Sequence, residues 1–590
     1  MKRANILAAA LMAVAVVAVP AAQAQTVTVK VLGAGSSAMW QTAATGAFVQ
    51  LAGAGGGHFT VKGTCTGTNN CAQIADSRST SIVPQTGNLW VVWSSLTASS
   101  VKVWAYISVD SVVGNRTYFA TTSTGTRATS LQLDPELDTT GPPAADSNLI
   151  TSNLWGCDNG TTLSGGVCTG TPILPTVVFN ALQNHIFTAG FTDIRPEDAY
   201  YASCRVLNPL DATGAADALG YGTIANCGSA TGININSAFT TNYAQPVDFK
   251  IKGTDPITHG TIKGFKVVDV GAEPIVILVN RTNTTNGLGL GGATPVITDV
   301  ELPVLQTLFS GAAPNSPNPG AGCFASQLNA SATSNVNPIL REPMSGTMNT
   351  FEHTNIRCSG DPLNETCLAG TVPDLSQESG IGQPTSTASP TNPLNLQCAG
   401  GGGSRMRVIG TGEMVGNGIK TVTDAIGYAF FSYGNVSKIA GSASYGYLTL
   451  NGVDGIVSGS NVYTNGQLPV CTSGAGTGVC PAAPGSSFTH LRDGTYRSWS
   501  VVRGVSDFSG ANLTNLKALV AAIQNNVNLT TPDFVPFVST GGDPGLQLVR
   551  SHFPQAGRTP NNGGTCGAEA GGDMGGYILT VNTCTTGEHQ

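Results

Sequence analysis

Four short segments carry side chains and backbone donors of the kind that could hold an anion. Gly33-Ala34-Gly35-Ser36-Ser37-Ala38 follows an alternating stretch, Val27 to Leu32. Its glycines would let backbone amides approach a ligand, and a helix starting behind it would add unpaired N–H groups. The segment matches the dinucleotide pattern G-x-G-x-x-A, but the acid expected about 20 positions later is missing; a plain tight turn is the bland reading. Arg341-Glu342-Pro343-Met344-Ser345-Gly346-Thr347 combines a planar guanidinium with two hydroxyls and successive backbone N–H groups. A buried anion needs that supply, because each oxygen lone pair must find a donor. A surface arginine followed by an ordinary Ser/Thr helix cap would look the same. Asp193, ahead of Pro196, either caps a turn or accepts a proton from an anion that has one to give. Ser111, in Tyr106 to Gly114, is a hydroxyl donor or a cap.

Each segment lies beside a regular element. Val27 to Leu32 reads as a strand and Ala38 to Leu51 as a helix with Met39, Ala43, Phe48 and Leu51 on one face. This is a strand–turn–helix unit. Leu89 to Trp93 and Val101 to Ile107 are strand-like, whereas Thr121 to Gly170 and Asn208 to Pro246 read as inserted loops. Glu273-Pro274 introduces Ile275 to Val279, apolar enough for a strand buried on both faces. Thr298 and Glu301 form a capping box for a helix with Val300, Leu302, Leu305 and Leu308 as its stripe. A helical segment is expected over Arg341 to Phe351, loop over Gly360 to Gly403, a strand within Thr423 to Gly434 and a helix from Leu513 to Asn526. Alternating strands and helices favour an α/β architecture over an all-β sandwich.

Composition narrows the setting. Only 10% of the 590 residues are charged, the formal net charge is −7, and no basic stripe offers itself to nucleic acid or an anionic membrane. An anion would be captured against that charge, by local donors. Met1-Lys2-Arg3, the apolar run Ile6 to Val19 and Ala22-Gln23-Ala24 read as a signal peptide over residues 1–24, leaving Gln25 as the mature terminus. The run is shorter than the roughly 20 residues of a membrane span, and no later stretch is expected to cross. Fourteen cysteines pair neighbour-first as Cys65/Cys71, Cys157/Cys168, Cys204/Cys227, Cys358/Cys367, Cys471/Cys480 and Cys566/Cys584, with Cys323/Cys398 at longer range. Without tight C-x-x-C spacing, and with seven histidines, disulfides are expected rather than metal sites. No H-E-x-x-H or G-x-S-x-G appears, so no catalytic residue, enzyme activity or cofactor is expected.

Taken in order, the landmarks resemble the substrate-binding protein of the phosphate ABC transporter, in the type II periplasmic binding protein superfamily. They are Gly33-Ala34-Gly35, Tyr106 to Gly114, the Asp193 segment, Pro274 to Asn280, Ile297 to Gly311, R-x-x-x-S-G-T at Arg341 to Thr347, and Ala425-Ile426-Gly427-Tyr428. They cover roughly half the chain. The resemblance implies two α/β lobes, with long disulfide-pinned insertions: lobe 1 over 25–274, lobe 2 over 275–440 and a return to lobe 1 over 441–590. It implies Ser37 and Ser111 as hydroxyl ligands, the Ala38 N–H beside them, and Asp193 as acceptor of the ligand's proton. Arg341, Ser345, Gly346 and Thr347 would clamp the anion. It further implies a periplasmic or secreted protein that captures phosphate, or a related tetrahedral oxyanion, for an inner-membrane ABC permease. A secreted surface or matrix protein on the same fold is the alternative. The family places an Asp two positions after the arginine; here that position is Pro343 and the acid is Glu342. The partner that would orient Arg341 is therefore not carried over.

Overall fold

The computed structural model describes residues 25–63, 71–76, 85–119, 131–136, 149–150, 155–183, 185–194, 265–310, 323–341, 345–351, 354–355, 393–397, 404–408, 410–456, 466–468, 488–492, 494–529, 533–538, 545–546, 548–550, 578–581 and 588–589. The expected signal peptide, the stretch from Asn208 to Pro246, and Cys65, Cys204, Cys227, Cys358, Cys367, Cys398, Cys471, Cys480, Cys566 and Cys584 lie outside these residues.

The first elements are β1 (Thr26–Gly35), α1 (Trp40–Gly46), β2 (Gly57–Val61), β3 (Asn88–Trp93), β4 (Ser100–Ser108), α2 (Ser111–Phe119) and β5 (Ala189–Thr192). A 16-residue strand, β6 (Phe265–Asn280), leads to α3 (Leu302–Ser310), β7 (Asn337–Leu340) and α4 (Gly346–Phe351). There follow β8 (Pro393–Gln397), β9 (Ser404–Arg407), α5 (Gly410–Glu413), β10 (Ala425–Phe430), β11 (Tyr445–Leu450), β12 (Trp499–Asp507) and α6 (Ala511–Leu529).

These strands form one mixed sheet in the order β8-β9-β7-β10-β6-β12-β5-β1-β4-β3-β2. It has two halves sharing β6. Residues Phe265 to Pro274 of β6 pair with β12, whereas Ile275 to Val279 pair with β10 and Ile277 to Asn280 with β11. Pro274, which has no N–H to give, falls where the first ladder ends and the second begins. In the first half β1 runs parallel to β4 and β5; in the second β7 runs parallel to β9 and β10.

Burial explains why β6 is so apolar. Ile275, Ile277 and Val279 enter one core with Leu305, Leu308, Phe309 and Tyr428, while Val276 and Leu278 enter another with Val415, Ile419 and Trp499. With both faces covered, alternation of polar and apolar residues has no solvent side on which to appear. Val268 and Val270 pack beneath α1 and α6, with Trp40, Leu516 and Ile523.

Several expectations change. The capping box at Thr298 and Glu301 does not form: Asp299–Val300 pairs with β11, and the N–H of Leu302 is capped by Asn451 Oδ1 at 2.7 Å. The Thr121 to Gly170 stretch contributes to the core. Trp155 is buried and stacks on His58 at 4.0 Å, and Asp158 accepts from Thr60 Oγ1 at 2.6 Å and contacts His58 Nδ1 at 3.1 Å. Between them, Cys157 and Cys168 form the expected disulfide at the base of a hairpin. Cys323 is also disulfide-bonded and buried. Within Gly360 to Gly403 the described part is a strand, β8, rather than loop. Pairing of β11 with β6 carries the second half of the sheet beyond residue 440. Among the described residues no helix is long and apolar enough to cross a membrane.

Candidate functional site

The residues singled out by type all follow the carboxyl ends of parallel strands. Ser36 to Ala38 follow β1, Asp110 and Ser111 follow β4, and Asp193 follows β5. In the other half, Arg341 and Ser345 to Thr347 follow β7, and Thr411 follows β9. Chains leaving parallel strands expose backbone donors and side chains at that edge, where α/β sheets hold their ligands. Here two such edges meet across β6.

Each turn is held by its own chemistry. Gly35 has φ +147°, and a Cβ there would lie 1.8 Å from the carbonyl oxygen of Phe191, so only glycine lets β1 run this close to β5. The N–H of Ser36 then donates to Phe191 O at 3.0 Å, and Tyr106 donates its hydroxyl to Ser36 O at 2.5 Å. After β5, Thr192 Oγ1 donates to Ile194 O at 2.6 Å and accepts from Ile194 N at 3.1 Å. Ser500 of β12 donates to the carbonyl of Asp193 at 2.5 Å. After β7, the backbone N–H of Arg341 donates to the Tyr428 hydroxyl at 3.1 Å, and that ring stacks on Phe351 at 4.0 Å.

The two edges touch through the candidate residues. Ser111 Oγ donates to Asp193 Oδ1, and Thr347 Oγ1 donates to Asp193 Oδ2 at 3.4 Å. Gly346 lies against the same carboxylate: a Cβ would stand 1.7 Å from Asp193 Oδ1 and 2.6 Å from Ser111 Oγ. Arg341 Nη1 donates to Thr411 Oγ1 at 3.0 Å, and Thr411 Oγ1 shares a 2.9 Å hydrogen bond with Ser37 Oγ. Ser345 accepts from Met348 N–H at 3.3 Å, as a helix cap would. The Ala38 N–H donates to Ser36 Oγ at 3.2 Å. Arg341, Ser111, Asp193, Ser345 and Thr347 are buried, and Ser37 is half-buried.

The missing partner of the arginine comes from across the junction. Arg341 Nη2 donates to Asp110 Oδ1 at 3.0 Å, with Arg341 fully buried and Asp110 nearly so. Asp110 lay in a segment already singled out, yet a carboxylate in an anion site gives no reason to select it. Thr411, bracketed by Gly410 and Gly412 after a strand, repeats the glycine-and-hydroxyl pattern of Gly346-Thr347 and was legible in that respect.

The site is rich in acid for an anion pocket. Burial first, then Asp193 and Asp110, hold the Tyr106 hydroxyl well above the usual phenol range, keeping it a donor. Glu273 of β6 is buried with neither oxygen hydrogen-bonded among the described residues. Burial, then Asp533 and Asp193, push its carboxyl well up, which favours the neutral acid. Asp533 accepts from Thr42 Oγ1 of α1 and, at 3.0 Å, from Tyr433 N after β10, so it too bridges the halves; burial raises it to about 7 against those hydrogen bonds. Among the described residues no three His, Cys, Asp or Glu side chains gather as metal ligands.

No family model and no curated protein matches the chain. Among solved structures it is similar to a high-affinity periplasmic phosphate-binding protein bound with phosphate, PfluDING, at 16% identity and TM-score 0.25, over 46% of this chain and 68% of that one. A phosphate-binding protein from Stenotrophomonas maltophilia aligns at 14% identity and TM-score 0.23, over 43% and 59%. An ABC-type phosphate transport receptor from Vibrio cholerae aligns at 10% identity and TM-score 0.22, over 43% and 66%. Superposition at such scores is too partial to carry a functional assignment.

Proposed function

We propose that this protein captures a tetrahedral oxyanion, phosphate above all, between the facing carboxyl ends of its two parallel strand sets, as an exported solute-binding protein serving ABC-type uptake. One observation carries the reading. Ser37, Ser111, Asp193, Arg341, Gly346 and Thr347, taken from positions spread over three hundred residues, converge in one buried cluster of hydroxyls, one guanidinium and one carboxylate. Structural hydroxyls are ordinarily satisfied within their own element; these point across the junction.

Capture would proceed by hydrogen bonding alone. The guanidinium supplies planar donors, and Ser37, Ser111, Ser345 and Thr347 supply hydroxyls that can rotate to donate. Asp193 acts as the filter. Hydrogen phosphate can give its proton to that carboxylate, whereas sulfate, lacking one at neutral pH, would set two acceptors against each other without water to separate them. The β6 strand, which passes through both halves, would serve as a hinge, and the permease partner and two-lobe closure belong to this proposal. Calorimetric titration with phosphate, sulfate and molybdate tests it: exothermic one-to-one binding of phosphate is expected. Silence toward all three anions would sink it.

A further inference from the structure

Asp110 is the feature that the oxyanion reading leaves over. Its backbone carbonyl accepts the N–H of Gly114 at 2.8 Å, which puts it at the N-cap of α2. Residues there ordinarily take an extended backbone. Asp110 instead has φ 72°, in the left-handed region that side chains other than glycine rarely enter. A held outlier of that kind points toward function. What the conformation achieves is visible in the opposite edge: the carboxylate meets Arg341 Nη2 at 3.0 Å, inside a site where Arg341 has no exposure to water.

A carboxylate beside an anion-binding arginine is costly unless it does something the anion needs. Two effects can be weighed. A lone buried guanidinium carries a full positive charge that attracts any anion and must be compensated when the site is empty. Paired with Asp110, the guanidinium is electrically close to neutral, and its plane is fixed from one side by Asp110 and from another by Thr411. The remaining discrimination then falls to Ser37, Ser111, Thr347 and Asp193, which distinguish anions by donor and acceptor pattern.

We propose that Asp110 is a specificity-determining positioning residue: it orients and neutralises Arg341 from the opposite half of the sheet, so that the anion is chosen by hydrogen-bond pattern rather than by charge. This inference rests on the oxyanion reading above. It also accounts for capture by a chain of net charge −7, since the site does not rely on a field that the rest of the molecule would oppose. The charged and titratable groups around the pair are Tyr106, Asp193 and Arg341, with Glu273 beyond Asp193.

Two variants separate charge from backbone. Asp110→Asn keeps the shape and removes the charge; Asp110→Gly removes the side chain and relaxes the φ 72° backbone, so it folds at least as readily as the parent. Phosphate and sulfate affinities are measured by calorimetry from about 50 to about 500 mM NaCl. The wild type is expected to bind phosphate with little salt dependence. Both variants should lose about 10-fold or more of phosphate-over-sulfate discrimination, the scale seen when the partner that orients a ligating group is removed. Their phosphate affinity should also fall steeply with salt, because an unneutralised guanidinium now contributes. Unchanged discrimination and a flat salt profile in both variants, with a wild type that binds, overturn the role of Asp110 alone. A change in Asp110→Asn with none in Asp110→Gly overturns it too, by assigning the effect to backbone strain. A wild type that binds none of the anions removes the oxyanion reading and this inference with it.

Discussion

At the scale of single residues, Asp193 and Gly346 are the most informative positions. Asp193 receives hydrogen bonds from both halves of the sheet, from Ser111 and from Thr347. Asp193→Asn replaces an acceptor by a group that can donate, so sulfate is no longer opposed. Phosphate-over-sulfate selectivity, which such a contact can raise by about 10⁴, should fall by at least about 100-fold in competitive calorimetry; selectivity kept at the parent level would mean the carboxylate is not the filter. Gly346→Ala forces a methyl group to 1.7 Å from Asp193 Oδ1. Phosphate binding should be lost, with about 1–3 kcal/mol of destabilisation in urea unfolding, as for an overpacked core. Wild-type affinity in that variant would show that the carboxylate can move aside without consequence. The sequence made these residues legible because their types are chemical: an arginine with Ser-Gly-Thr, a hydroxyl after a strand, an aspartate ahead of a proline. Asp110 was not legible, because its partner lies 231 positions away and its value depends on that pairing.

At the scale of elements, the long strand β6 joins everything. Leu278 is fully buried in the core formed with Ile339, Val415 and Ile419. Truncation to Ala should cost about 3 kcal/mol by chemical denaturation, within the range for emptied leucine sites. A cost under about 1 kcal/mol would mean that this face is not packed as described. The α3 helix offers a finer test. Its first N–H is held by Asn451, not by the Thr298 box that the local sequence suggests, so Asn451→Ala should cost about 1 kcal/mol while Thr298→Ala costs little. The reverse ranking would restore the local cap. Strands such as β1, β4 and β10 were readable because their apolar runs are uninterrupted. The capping error arose because T-x-x-E is a local pattern, whereas β11 captures Asp299 and Val300 from 149 positions away.

At the scale of the whole molecule, buried acids make stability depend on pH. Asp533 rises from 3.8 to about 7 on folding, and Glu273 shifts the same way. Between about pH 4 and about pH 7 the folded chain therefore holds protons that the unfolded chain releases, so stability falls as pH rises through that window. The contribution from Asp533 is at most about 4 kcal/mol, present in full below its unfolded value and lost above its folded one. Melting temperature should decline from pH 4 toward pH 7, and Asp533→Asn, which stays neutral throughout, should flatten the decline. An equally steep decline in that variant would place the titrating group elsewhere. Because Asp533 ties Thr42 to Tyr433, the same proton would also affect how firmly the halves are held together.

The sequence by itself determined what depends on neighbours along the chain: the α/β alternation, the buried character of Ile275 to Val279, the pairing of Cys157 with Cys168 eleven positions apart, and the chemical types available for a site. Tertiary structure alone decided what depends on distance closing to zero: that two parallel strand sets share β6, that their carboxyl ends face one another, and that Asp110 replaces the missing neighbour of Arg341. The physical reason is the range of the forces. Periodicity and turn chemistry act over a few residues and leave a record in the sequence, whereas a buried ion pair is specified only once hydrophobic packing has brought its two ends together.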